Sequence, residues 1–226
     1  MNNPARRLSV SHTHNSAVVR KCVAAAGVAL AGIIAAGPAT AAYATPAAAA
    51  ATARAAAGKQ VNDYTFQAQP NIYYCGPAST RIALSAQGKI EDQDKLANEL
   101  GTTFAGTASA FEITRVLNDS LGEQMYKTVE IPDDSASTVE VARLKADVTK
   151  AIDEKRIPVV NVIGSAVDTD GVARSFPVGH YLTVVGYDSD GSRLKIADPW
   201  QPVGDGTYWM SVTDLANWSA SRGYSA

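Results

Sequence analysis

The sequence predicts an α+β fold, with a helical part first and an antiparallel sheet after it. Helical three-to-four periodicity occupies residues 76–155, whereas apolar and alternating runs cluster at 159–164, 180–187, 193–198 and 208–210. Two of these runs are joined by the turn-rich Asp188-Ser189-Asp190-Gly191, short enough for a hairpin. Helices followed by strands, without regular alternation, argue against a parallel sheet.

The first helix is expected from Gly76 to about Gln87, because Ala78, Ile82, Ala83 and Ala86 share a face, Pro77 suits the first turn and Gly88 can end the segment. A short helix fits Asp92 to Leu100, stopped by Gly101, and a third fits Thr107 to Asn118 with Ala110, Ile113 and Leu117 inward. Residues 125–131 alternate as a strand would, until Pro132-Asp133-Asp134 break the pattern. Ser137 to Lys155 is the most periodic segment, with Val141, Leu144, Val148 and Ile152 in a core-facing stripe. Pro158 then precedes the buried strand 159–164, His180 opens the next strand and Asp198 closes the one after it. A strand near Tyr208 to Met210 and a helix over Val212 to Trp218 complete the chain.

The 226 residues divide into three parts. Residues 1–44 read as a secretory signal: Arg6, Arg7, Arg20 and Lys21 without an acid, the apolar run 22–36, then small residues suited to cleavage after Ala42-Tyr43-Ala44 or, as second choice, Ala39-Thr40-Ala41. The twin arginines lie far ahead of the apolar run, which leaves the export route open. Residues 45–59 form an Ala-rich linker, and 60–226 suit one domain. Removing the signal leaves 16 of the 20 Lys+Arg against 22 Asp+Glu, a net charge of −6. An acidic exported chain without a basic stripe is a poor partner for nucleic acid or anionic membrane. The expected product is a secreted monomer with no stable membrane anchor.

Cleavage would also remove Cys22, His12 and His14, making Cys75 the sole cysteine and His180 the sole histidine of the mature chain. Cys75 sits in QPNIYYCGPAST (69–80), where the helix begins, and the positive end of the helix dipole favours a thiolate there. A buried inert cysteine fits the same position. If the hairpin loop is centred on Ser189, His180 and Asp198 fall opposite or diagonal to each other. A histidine beside Cys75 could hold its proton and return it to a leaving group, with Asp198 fixing the imidazole. Gln69 and the Cys75 backbone N–H could bind an oxyanion. Each residue alone also has a structural reading, as a core histidine, a strand-ending Asp-Pro turn or a surface glutamine.

Gln69, then CGPAS at 75–79, GHYLTVVGYD at 179–188 and ADPW at 197–200 resemble the bacteriocin-processing (double-glycine leader) peptidase family and its secreted relatives, within the papain-like cysteine peptidases. The resemblance covers roughly residues 60 to 218. It implies a papain-like fold, with the nucleophile at a helix start and His and Asp on the sheet. It also implies peptide-bond hydrolysis of a peptide or protein substrate, with Cys75 as nucleophile, His180 as base and acid, Asp198 as orienter and Gln69 as oxyanion donor. No cofactor or metal is implied. The best-known members are cytosolic domains fused to an exporter that cut after Gly-Gly leaders, and they commonly carry an acidic residue just before the cysteine, where this chain has Tyr74. The resemblance therefore carries the thiol-hydrolase mechanism and not the leader-peptide substrate. Acyl transfer to an amine and an inert papain-like binding module are the alternatives.

Two acidic turns, Asp168-Thr169-Asp170-Gly171 and Asp188-Ser189-Asp190-Gly191, imitate the start of a calcium loop but have Gly179 and Pro199 where a bidentate Glu is needed, so they are read as turns. Trp200, Tyr208, Trp209 and Trp218 are read as core aromatics, with Trp200 a candidate to shield Asp198 from water.

Overall fold

The computed structural model describes residues 58–200 and 206–226. The signal segment with Cys22, His12 and His14, and most of the Ala-rich linker, lie outside the described residues. Helices α1 (Cys75–Ser85), α2 (Gln93–Leu100), α3 (Ala110–Leu121) and α4 (Thr138–Asp153) precede most of the sheet. Its strands are β1 (Lys59–Gln60), β2 (Thr128–Val129), β3 (Val159–Val167), β4 (Ala173–Tyr187), β5 (Arg193–Ala197), β6 (Thr207–Ser211) and β7 (Gly223–Ser225), with α5 (Val212–Trp218) between the last two. Among the described residues no helix is long and apolar enough to cross a membrane.

Local chemistry accounts for the helix ends. Asp92 caps α2 by accepting from the Asp94 and Lys95 N–H groups, and Gly101, at φ 63°, ends it in the left-handed region. Ser137 and Glu140 form a reciprocal capping box on α4. Along α4, Leu144, Val148, Ala151 and Ile152 are buried, which is the expected stripe in position. Helix α1 differs, because ten of its eleven residues are buried. It is a core helix, packed against β4, α2 and α3.

The sheet is antiparallel and runs β2-β7-β3-β4-β5-β6, with β1 paired to the far end of β4. Fold class and the order of the expected elements match the sequence reading, but three boundaries move and strands are added. The third helix starts at Ala110 instead of Thr107, because residues 102–109 make a separate loop. The 125–131 strand shrinks to Thr128–Val129. The sequence reading has no strand at 223–225, yet β7 lies between β2 and β3 and makes the sheet continuous. Only three residues long, it has no periodicity to detect. Finally, His180 does not open β4; it lies in the middle of a 15-residue strand that begins at Ala173.

That longer strand is interrupted just before His180. Val162 pairs with His180 and Gly164 with Phe176, so Pro177, Val178 and Gly179 together oppose the single residue Ile163. Such a bulge bends the strand and re-aims the next side chain. Gly179 has φ 98°, a conformation other residues rarely adopt, which gives the glycine before His180 a backbone reason.

Candidate active site

The structure brings Cys75, His180 and Asp198 together, with His180 between the thiol and the carboxylate. The ladder between β4 and β5 pairs Thr183 with Ala197 and Val184 with Ile196, so its register is displaced by two from one centred on Ser189. Asp198 lies just beyond the last pair and reaches His180 diagonally on the same face. His180 Nε2 and Asp198 Oδ1 are 2.7 Å apart. An ionised carboxylate only accepts, so Nε2–H donates and Nδ1 is left for Cys75, which lines the same cleft and acts electrostatically on the ring.

All three residues are buried, with Asp198 fully enclosed. Burial acts most strongly on His180 and lowers its pKa, yet the hydrogen bonds and charges of Asp198 and Cys75 together outweigh it and push the imidazole up to about 9. The ring is therefore held as imidazolium when the sulfur carries negative charge. Phe176 stacks on it, centroids 3.8 Å apart, and itself stacks on Trp218.

Among the described residues Asp198 has three donors. Besides His180, the Trp200 N–H donates to Oδ1 at 2.9 Å and the Tyr208 hydroxyl to Oδ2 at 3.1 Å. Tyr208 is in turn covered by the Arg174 guanidinium, 3.6 Å from its ring centroid, and Arg174 forms a two-pronged ion pair with buried Asp168. Trp200 is not a core aromatic: the residue is 46 % exposed, and it supplies its backbone N–H to the acid. Asp168 closes its own turn by accepting from the Asp170 and Val172 N–H groups. Asp188 does the same with the Arg193 N–H, so both acidic loops are turns.

Cys75 is the first residue of α1, whose start has no side-chain cap, so its first N–H groups have no partner in the helix. Gly76 follows for a steric reason: a Cβ there would lie 2.2 Å from Thr107 Oγ1. The 102–109 loop thus abuts the Cys75 end of the helix. Gln69 is tethered beside the acid, its N–H donating to the carbonyl of Pro199 at 3.0 Å. Its side-chain Nε2 donates to the Asn71 carbonyl at 2.7 Å, which leaves one amide hydrogen for another acceptor.

Cys75 and His180 line a cleft of about 480 Å³ between the 104–108 loop and residues 178–181. Gln69 lines a second, smaller depression with Pro199 and Trp200, and Ile72 borders both. Sequence reasoning missed Phe176 and Arg174, and left Tyr208 among the core aromatics. The φ-linked Gly179 and the alternating 173–176 segment were the available signals for a longer β4.

Among curated proteins, none matches this chain. The family model described as Peptidase_C39 like family matches residues 61–226. Among solved structures, a C39-like peptidase from Bacillus anthracis is similar at 15% identity with a TM-score of 0.50, covering 74% of this chain and 96% of that one. The peptidase domain of Streptococcus ComA, a bifunctional ABC transporter involved in quorum sensing, is 21% identical, TM-score 0.48, covering 72% and 96%. A double glycine motif protease from an AMS/PCAT transporter, solved with its leader peptide, is 15% identical, TM-score 0.45, covering 74% and 95%. At these identities the structural likeness bears on the fold alone. The family match spans the region from the segment ahead of Gln69 to the last strand, and the chain belongs to the Peptidase_C39 like family.

Proposed function

We propose that the protein is an exported cysteine peptidase that uses Cys75 as nucleophile, His180 as base and acid, Asp198 as orienter and Gln69 as oxyanion donor. The observation that carries the reading is the buried row from Cys75 through His180 to Asp198 at the wall of an open cleft. The Cys75 proton passes to Nδ1 of His180, and the sulfur attacks the substrate carbonyl, forming a C–S bond while the carbonyl π-electrons move onto oxygen. The Cys75 N–H and the free Gln69 amide hydrogen stabilise that oxyanion. As the C–N bond breaks, Nδ1 returns its proton to the leaving amine, leaving a thioester. Water, giving a proton to His180, attacks the thioester and releases the acid and the thiol. Asp198 keeps Nε2 protonated throughout, so Nδ1 always faces the reacting atoms.

The test is digestion of a peptide library by the wild type and by Cys75→Ala, with iodoacetamide labelling across pH for the wild type and His180→Ala. Cleavage that requires Cys75, and labelling that His180 shifts in pH, are expected. An ordinary thiol unaffected by His180 would sink the proposal. An added amine acceptor separates hydrolysis from acyl transfer, since transfer would give an amide product. Export is supported by the basic, apolar and small-residue order of 1–44, and sequencing the N-terminus of secreted protein tests it; a start at Met1 would refute cleavage.

A further inference from the structure

Arg222 stands out within the cleft. It precedes β7 and lines the same cavity as Cys75 and His180. Its Nε is enclosed without a hydrogen-bond partner, and among the described residues its guanidinium forms no ion pair. No carboxylate lines the cleft among the described residues, so Arg222 and His180 are its cationic groups. A half-buried cation whose Nε has lost water without gaining a protein acceptor gains strongly from an anion that reaches it. Around the mouth, Ile72, Phe104 and Val178 are exposed apolar side chains, offering contact to flanking apolar residues but no competing charge.

We propose that Arg222 is a specificity residue that pairs with a carboxylate of the bound peptide, so that the preferred substrates carry an acidic side chain or a free C-terminus within reach of the cleft. This rests on the cysteine-peptidase reading above. The guanidinium fork suits two parallel hydrogen bonds to one carboxylate, which an amide of the same shape cannot match in charge.

Matched peptides separate the two sources of the carboxylate. One series carries Glu or Gln at each position around the scissile bond, and the other ends in a free acid or an amide. The wild type is expected to favour one acid over its amide by about tenfold or more in kcat/KM. Arg222→Gln should bring that ratio close to one, Arg222→Lys should retain part of it, and Arg222→Glu should favour Lys at the same position. Equal use of acids and amides by the wild type overturns the inference, whatever the variants do. As a readout independent of turnover, the full chain carrying Cys75→Ala should bind the preferred acid more tightly than its amide, and Arg222→Gln in that background should abolish the difference. Peptides cleaved through Cys75 without an acid preference leave the peptidase reading intact and refute the role of Arg222. Acid-selective binding to a chain that cleaves nothing does the reverse.

Discussion

Replacing Asp198 with asparagine removes a charge from the His180 row while keeping its shape. The amide oxygen can still accept from His180 Nε2–H and the Trp200 N–H at the position of Oδ1, and the Tyr208 hydroxyl can turn to accept from the new NH2 in place of donating to Oδ2. What disappears is the attraction that holds His180 at about 9 against burial, which alone would lower it from 6.5. That net rise corresponds to ~3 kcal/mol in favour of the imidazolium. Without the carboxylate charge, burial regains its weight, and the midpoint should fall by more than ~1 pH unit. Because His180 is the only histidine beyond residue 14, its imidazole resonances can be followed by NMR through a pH titration of wild type and Asp198→Asn. Iodoacetamide labelling of Cys75 provides a second readout, since a less basic imidazole holds the thiol proton less well. An unchanged His180 midpoint in a folded Asp198→Asn protein would refute the electrostatic account of the row.

Tyr208→Phe should move the same midpoint the other way, upward, because Asp198 loses its Oδ2 donor and directs more of its charge at His180; the lost bond should cost ~1–2 kcal/mol in denaturant stability. His180 also makes stability pH-dependent. Its folded pKa of about 9 exceeds the ordinary 6.5, so the stabilisation is fully present below pH 6.5 and is lost as pH rises through about 9. Thermal unfolding should show that alkaline loss in the wild type and less of it in His180→Gln. Gly76→Ala places a Cβ 2.2 Å from Thr107 Oγ1 and 2.8 Å from its Cβ, so it should destabilise by ~1–3 kcal/mol. Adding Thr107→Ala should recover part of that loss; strict additivity in a double-mutant cycle would exclude the contact as its cause. Phe176→Ala removes the ring stacked on His180 and, because that ring is only partly buried, should cost ~1–2 kcal/mol in urea unfolding, with a lowered kcat because the imidazole loses its lateral restraint.

Much of the fold was legible because its helices carry their own signals. The stripe of α4, the Asp92 cap and the Gly101 stop are local chemistry, and local chemistry is written in adjacent residues. Turn residues between 188 and 191 likewise announced the hairpin, and with it the nearness of His180 and Asp198. The early part of β4 was hidden because its alternating exposed residues, interrupted by Pro177 and Gly179, look like a loop. Its pairing with β3, across the turn at residues 168–172, is what makes it a strand.

By itself the sequence determined the class of fold, the order of its elements, and the residue types able to form a thiol, imidazole and carboxylate row. The tertiary structure decided the rest through contacts between residues far apart in the chain. It set the diagonal register, the bulge that re-aims His180, the Phe176 stack, and the Tyr208 and Trp200 donors that surround Asp198. It also brought Arg222, beside a three-residue strand with no pattern of its own, to the wall that holds Cys75. Periodicity records how a segment meets the core, but the partner across a cleft is chosen by packing, and no spacing along the chain encodes it.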